Sequence, residues 1–250
     1  MAKFLFVTDL DHTLVGDDAA LSALNQQLQY HREEHGTMVV YATGRSPTLY
    51  QALRQQQEML DPDYAVLAVG TLIYPGNSTT ALPEWADYLS LGWDRDAIVA
   101  IASQCPDLVS QPQSEQTPHK VSYFLDEAIA PQLLPQLAAQ LRDAASNFQL
   151  VYSGSQYLDI LPKRGNKGTA VGFLQEQLAI APERTVVCGD SGNDLSMFTP
   201  KQSKGIIVGN ARPELRAWYQ SVQPNHVYLA TGHYANGILE GLIQLGFLKE

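Results

Sequence analysis

The chain has 250 residues, 45% of them apolar, and a formal net charge of −10. That length supports a large buried core near the size at which chains divide into two domains, and the apolar content excludes a disordered polymer. The negative charge argues against nonspecific nucleic-acid binding, which needs a Lys/Arg-rich surface, and no apolar run approaches the ~20 residues of a membrane span.

Strand-length apolar runs alternate with helix-periodic stretches, the pattern of a parallel sheet covered by helices. Residues 3–8 (KFLFVT) predict a first buried strand. Residues 20–32 predict a helix with Leu21, Leu24 and Leu28 on one stripe, and residues 37–42 (TMVVYA) a second strand. Ser46 and Pro47 supply an N-cap and a first-turn proline for a helix reaching about Met59. Residues 64–69 (YAVLAV) give a third strand, ended by Gly70. After Pro75-Gly76-Asn77 the pattern changes. A helix near 95–103, a strand at 119–125, a leucine-striped helix near 131–145 and a strand at 148–153 predict an α+β unit with an antiparallel sheet. The parallel pattern resumes with a helix at 167–178, strands at 185–189 (TVVCG) and 205–208 (GIIV), and helices near 213–219 and 235–245. The expected fold is α/β: a doubly wound, mostly parallel core sheet from residues 1–81 and 160–250, with residues 82–159 inserted as an α+β cap domain.

The chemistry-bearing residues stand just past strand ends, where open parallel sheets bind ligands. Asp9-Leu10-Asp11-His12-Thr13 closes the first strand. Two carboxylates in one loop suit a hard cation such as Mg²⁺, aspartate accepts phosphoryl groups, and a carboxyl two residues on can protonate a leaving alcohol and then activate water. The plainer alternative is a pair of aspartates capping a turn, and three other loops weigh against it. Thr43-Gly44-Arg45 offers a hydroxyl and amides to phosphate oxygens. Asp190-Ser191-Gly192-Asn193-Asp194 adds a third carboxylate for a cation. Lys167 follows Asn166 at a predicted helix start, where its ammonium adds to the field of the helix N-terminus. The set contains what metal-assisted phosphoryl transfer requires. Cys105 and Cys188 lie far apart and read as reduced, buried thiols, and the six histidines are read as offering no paired metal-binding spacing. The opening MAKFLFVTDL turns acidic too early for a signal peptide, so a cytoplasmic protein is expected.

These four loops, in this order, resemble the haloacid dehalogenase superfamily of aspartyl-phosphate phosphatases. The resemblance implies Asp9 as nucleophile, Asp11 as general acid/base, and Thr43 and Lys167 on the transferring phosphoryl group. It implies Mg²⁺ held by the Asp9 carboxylate, the Asp11 main-chain carbonyl and Asp190, with Asn193 and Asp194 supporting the metal shell. Further stretches are similar to the sucrose-phosphate phosphatases of plants and cyanobacteria over nearly the whole chain. These are residues 41–53 beginning at Tyr41, Trp93-Asp94-Arg95, the stretch from Gln111-Pro112 through Glu115-Gln116, residues 118–123 (PHKVSY), Tyr152-Ser153-Gly154, residues 158–162 (LDILP) and residues 188–194 (CGDSGND). Leu72 departs from the pattern, standing where a glutamate is expected. This resemblance implies hydrolysis of sucrose 6-phosphate, with a cap reading the sugar through Gln111, Gln116 and Lys120, and with Gly44, Arg45 and Asn193 completing the substrate site. Tyr123 either lies against a sugar face or fills the cap core, and Arg45 either reaches the substrate or braces its loop. Two alternatives are a phosphatase acting on another sugar phosphate, such as trehalose 6-phosphate, and a non-catalytic partner domain of a sucrose-phosphate synthase. The same synthase is the protein partner that the resemblance suggests; no nucleic acid or membrane is expected.

Overall fold

A computed structural model describes residues 3–144, 147–199 and 203–249. In chain order, β1 (Leu5–Thr8), α1 (Asp18–His35), β2 (Met38–Ala42), α2 (Pro47–Gln56), β3 (Tyr64–Leu67) and β4 (Leu72–Pro75) come first. Next are α3 (Pro83–Ser90), α4 (Arg95–Ala102), β5 (Val109–Ser110), β6 (Val121–Phe124), α5 (Ala130–Ala144), β7 (Gln149–Ser153) and β8 (Tyr157–Leu161). The chain then continues through α6 (Lys167–Leu178), β9 (Thr185–Gly189), α7 (Leu195–Phe198), β10 (Lys204–Ile207), α8 (Pro213–Val222), β11 (Val227–Leu229) and α9 (Tyr234–Gln244).

Seven strands form one sheet in the order β11-β10-β9-β1-β2-β3-β4, parallel except for the β3–β4 hairpin. The strand order turns around at β1, with β9 on one side and β2 on the other, the arrangement that opens a ligand crevice at the carboxyl ends of the strands. Thr8 pairs with both Tyr41 and Cys188, so the loops that follow β1, β2 and β9 leave the sheet side by side. β1 is buried on both faces, which is why LFVT is a continuous apolar run rather than an alternating one. Phe6 joins Leu24, Leu28 and Leu242 on one face, and Leu5 and Val7 join Leu174 and Phe198 on the other. Helix starts are set locally. Asp17 caps α1, Ser46 caps α2 ahead of Pro47, and Asn166 and Thr169 exchange hydrogen bonds in a capping box at α6.

A second, antiparallel sheet runs in the order β5-β6-β8-β7. It has its own core, in which Val121, Tyr123, Leu158 and Ile160 pack against Ile98 of α4 and Leu137 and Leu141 of α5. The fold is thus a mostly parallel α/β core carrying an α+β cap. The hairpin strand β4, helix α3, strands β5, β8 and β11 and the short α7 are not among the elements expected from sequence. They are brief, and β8 interrupts its apolar residues with Asp159. Helix α3 packs on the large sheet: Trp85 is buried among Val66, Ile73 and Leu174, and its indole Nε1 donates to the Gly70 carbonyl at 3.0 Å.

The reading of the histidines needs correction. His31 and His35 stand four apart on α1 with ring centroids 4.5 Å apart. Their surroundings are aromatic rather than ligating: Phe247 stacks on His31 at 4.6 Å and Phe4 meets both rings edge-on. Burial, and then His35, push the His31 pKa down. Both cysteines are free; Cys188 is buried and Cys105 half-buried. No helix among the described residues is long and apolar enough to cross a membrane.

Trp85→Ala is expected to destabilise the protein by about 3–5 kcal/mol, through a large cavity and an orphaned Gly70 carbonyl. Urea denaturation of the variant checks this, and a loss under 1 kcal/mol, roughly that of a surface substitution, would contradict the rooting of α3 in the core.

Candidate active site

Lys167, the first residue of α6, has no solvent exposure. Its Nζ donates to Asp9 Oδ1 and to Asp194 Oδ1, both at 2.7 Å. A buried ammonium is tolerated only when paired and hydrogen-bonded, and two carboxylates do that here. Burial disfavours the charged lysine, but Asp194 and Asp9 outweigh it and hold the ammonium above the ordinary lysine range.

The loop after β9 is built around Asp194. Its Oδ2 accepts from the main-chain N–H groups of Asp190 and Ser191 at 3.0 Å. Gly189 makes room for it: a Cβ there would lie 2.5 Å from Asp194 Cβ. Gly168 plays the same part on α6, where a Cβ would collide with the Ser196 carbonyl. Asp190 Oδ1 accepts from Thr13 Oγ1 at 3.2 Å, tying this loop to the one after β1. One oxygen each of Asp9, Asp190 and Asp194 lie within 4.8 Å of one another. Burial pushes the Asp9 carboxyl up to about 7 against the pull of Lys167, with Asp194 and Asp11 acting in the same direction as burial. Burial likewise raises Asp190 to about 8, helped by Asp194 and Asp9.

The donor set suits a divalent cation. Three buried carboxylates against one ammonium leave two negative charges, and hard oxygen donors match Mg²⁺ chemistry. Asp194 is already engaged by Lys167 and by two main-chain amides, whereas Asp9 Oδ2 and Asp190 Oδ2 accept no hydrogen bond among the described residues. The Asp11 carboxylate stands outside this trio. Arg45 holds it in a two-pronged ion pair, Nε to Oδ2 at 2.8 Å and Nη2 to Oδ1 at 2.7 Å. Arg45 therefore braces the β1 loop.

Thr43 is buried, and its Oγ1 accepts from the Arg45 N–H at 3.1 Å, which leaves its own O–H to donate. A feature missed in the sequence supports this loop. After β3 the chain makes a tight turn with Ala68 and Val69 in the left-handed region, at φ 51° and 60°. For a β-branched residue that conformation is strained, at a cost of about 1–3 kcal/mol. The turn places the Ala68 N–H on the Arg45 carbonyl at 2.9 Å and the Val69 N–H on the Thr43 carbonyl at 3.1 Å.

Between core and cap lies a cavity of about 840 Å³. Asp9, Asp11, Gly44, Arg45, Asp190 and Asn193 line it from the core, and Gln111, Glu115, Lys120 and Asp159 from the cap. Thr43 and Lys167 lie behind that lining. Ser46 Oγ spans the two sides, donating to Glu115 Oε1 at 2.9 Å. Lys120 is buried and paired with Asp159 at 3.3 Å, and Ser122 Oγ donates to the same carboxylate at 2.6 Å. Asp159 stands in the sequence reading only inside the LDILP stretch that carries the resemblance, with no role of its own, although one acid amid YLDIL was the available signal. Gln116 does not reach the cavity lining. Its Nε2 donates to the carbonyls of Gln111 and Ser122 and its Oε1 accepts from Ser122 N, so both ends of the amide brace the cap. Tyr123 is buried in the cap core. Leu72, in β4, packs partly buried against the core sheet.

The chain matches the family model of sucrose-6F-phosphate phosphohydrolase over residues 2–246. It is 35% identical to sucrose-phosphatase 2 of Nicotiana tabacum over 96% of its own length, and it spans 59% of that relative. With the mannosylfructose-phosphate phosphatase of Agrobacterium fabrum it shares 34% identity, over 97% of this chain and 96% of the relative. Among solved structures it resembles the sucrose-phosphatase of Synechocystis sp. PCC6803 in complex with sucrose and phosphate, at 39% identity and a TM-score of 0.92, over 98% and 99% of the two chains. A haloacid dehalogenase-like hydrolase of Bacillus subtilis shares the fold at 18% identity and a TM-score of 0.66, covering 98% and 92%. A match from end to end, at an identity too high for fold similarity alone, places the chain in the sucrose-6F-phosphate phosphohydrolase family, on a haloacid dehalogenase-like fold.

Proposed function

We propose that the chain hydrolyses sucrose 6-phosphate to sucrose and inorganic phosphate, with Asp9 as nucleophile. The observation that carries the reading is the buried Lys167–Asp9–Asp194 arrangement beside Asp190, opening into a cavity whose far wall is a polar cap face. The likeness to a sucrose-phosphatase solved with sucrose and phosphate supports the substrate. In this reading residues 1–81 and 160–250 are the catalytic core and residues 82–159 the specificity cap, of which, among the described residues, α3 alone packs on the core sheet.

Asp9 attacks phosphorus, the bond from phosphorus to the sugar oxygen breaks, and Asp11 delivers a proton to that oxygen. Water then attacks the aspartyl phosphate while Asp11 takes its proton, the bond from phosphorus to Asp9 breaks, and phosphate leaves. Asp11 rests on Arg45, so proton delivery requires the carboxyl to turn from the guanidinium toward the ester oxygen. Lys167 holds Asp9 in place and sets a positive charge beside the phosphoryl oxygens; the Thr43 hydroxyl and the Gly44 amide offer them hydrogen bonds. Arg45 and Asn193 line the approach, and Gln111 and Lys120 meet the sugar from the cap. Mg²⁺, held by Asp9, the Asp11 carbonyl and Asp190 and supported by Asp194, would offset the charge that otherwise repels a carboxylate from a phosphate. The relative that acts on mannosylfructose phosphate, matched over 96% of its length, favours a second reading in which another phosphorylated disaccharide is preferred.

Asp9→Asn is expected to lower turnover by at least about 10³-fold, and Asp11→Asn by about 10²–10⁴-fold, with circular dichroism unchanged. A panel of sucrose 6-phosphate, mannosylfructose phosphate, trehalose 6-phosphate and glucose 6-phosphate is expected to give the highest kcat/KM with the first. A clear preference for another member would reassign the substrate. The raised Asp9 and Asp190 carboxyls make a third expectation. In chelator, the stability they contribute is present below the ordinary aspartate range near pH 4 and is lost as pH rises through about 7 to 8. Removing one of them with Asp190→Asn should therefore stabilise the metal-free protein relative to wild type increasingly from pH 5 to pH 8.5. Saturating Mg²⁺ should reverse that order at pH 8. A stability difference that stays flat with pH in chelator would contradict the electrostatic picture.

A further inference from the structure

The cap sheet has two unlike faces. Val121, Tyr123, Leu158 and Ile160 point to α4 and α5 and are buried there. The alternate residues face the other way: Ser122, Phe124, Tyr157 and Asp159. On this face Ser122 is paired with Asp159, and two residues along the strands Phe124 is paired with Tyr157. Lys120, Asp159, Phe124 and Tyr157 all line the cavity that holds Asp9.

The aromatic pair is out of keeping with a solvated polar face. Phe124 is 38% exposed and Tyr157 39%, whereas Tyr123, next in sequence, is 6% exposed in the cap core. Their ring centroids are 6.0 Å apart, so each ring covers the other only in part. Leu49 of α2, 42% exposed, lines the same cavity from the core side. The cap core does not need these side chains, since its packing lies on the opposite face. A cross-strand aromatic pair adds something to sheet stability, on the order of 0.2–1 kcal/mol, but that role does not require the cavity-facing register.

A disaccharide phosphate has three chemically distinct parts: an anionic ester, edges of hydroxyl groups, and faces of C–H groups. The core cluster suits the first, and the Lys120–Asp159–Ser122 group suits the second. We propose that Phe124 and Tyr157 are specificity-determining residues that form the platform for the third, taking the C–H face of the sugar ring remote from the phosphate. The aromatic pair lies about 7 Å along the strand from the Ser122–Asp159 pair, roughly the span of one sugar ring. Aromatic rings supply large, rigid apolar area at little entropic cost, which suits a flat sugar face. The inference rests on the disaccharide-phosphate reading and assigns two residues that recognise the sugar without touching the phosphate.

The test uses the Mg²⁺-loaded full chain and two substrates, sucrose 6-phosphate and acetyl phosphate, which carries no sugar. Phe124→Ala and Tyr157→Ala are each expected to raise KM for sucrose 6-phosphate roughly five- to tenfold, while kcat/KM for acetyl phosphate stays within about twofold. Tyr157→Phe keeps the ring and should keep the wild-type KM. Calorimetric titration with sucrose in the presence of phosphate should show the same weakening in the alanine variants, with phosphate affinity unchanged. Equal losses on both substrates, or an unchanged KM and sucrose affinity in both alanine variants, would overturn this inference alone. A wild-type protein active on acetyl phosphate and inert on sucrose 6-phosphate would overturn the substrate reading, and this inference with it.

Discussion

A lysine ammonium without solvent access, shared between two carboxylates, is the constraint around which the molecule is built. Left unpaired, such a charge would cost several kcal/mol, so Lys167 commits Asp9 and Asp194 to fixed positions. That commitment reaches into the fold. β1 and β9 must be neighbours for Asp9 and Asp194 to meet one lysine, and α6 must start beside both. Gly189 and Gly168 are needed because the elements approach too closely for a side chain. The same closeness leaves excess negative charge in a buried place, and that excess is what makes the site receptive to a divalent cation.

The cap answers the core with a different electrostatic character. Its buried lysine is balanced inside the cap by Asp159 and by the Ser122 hydroxyl. Lys120 therefore brings no net positive charge to the cavity, and the anionic end of a ligand has no reason to bind there. In the proposed reading, charge orients a ligand in the cavity, and hydrogen bonding and apolar contact discriminate among sugars. Ser46 and Glu115 are the place where the two halves hold each other directly across the opening.

The core was legible from sequence because its chemistry is local. Asp9, Thr43 and Asp190 each follow an apolar strand, and the parallel topology alone brings such strand ends together. Lys167 was recognisable because a helix cap precedes it. Contacts that depend on register across a distance were not legible. Nothing near Asp11 announces that Arg45, on another loop, will take its carboxylate. Gln116 is expected from the resemblance to read the sugar, and only the folded cap shows its amide bridging main-chain groups instead. Lys120 and Asp159 are separated in sequence by β6, α5 and β7, and their pairing follows from β6 lying against β8. The left-handed Ala68–Val69 turn was hidden too, since neither residue type advertises that conformation.

The two passages of chain between core and cap come together at one point. Trp85 roots α3 in the core, with its ring 5.0 Å from that of Phe173 in α6. On the return passage, the Arg164 guanidinium sits 5.0 Å over the Tyr88 ring, and Gly165 passes close to Leu89. Outgoing and returning strands of chain are thus clamped to the same short helix. For a cap attached in this way, any rigid rotation about α3 would leave the residues near that helix almost stationary and give the longest arc to those farthest from it.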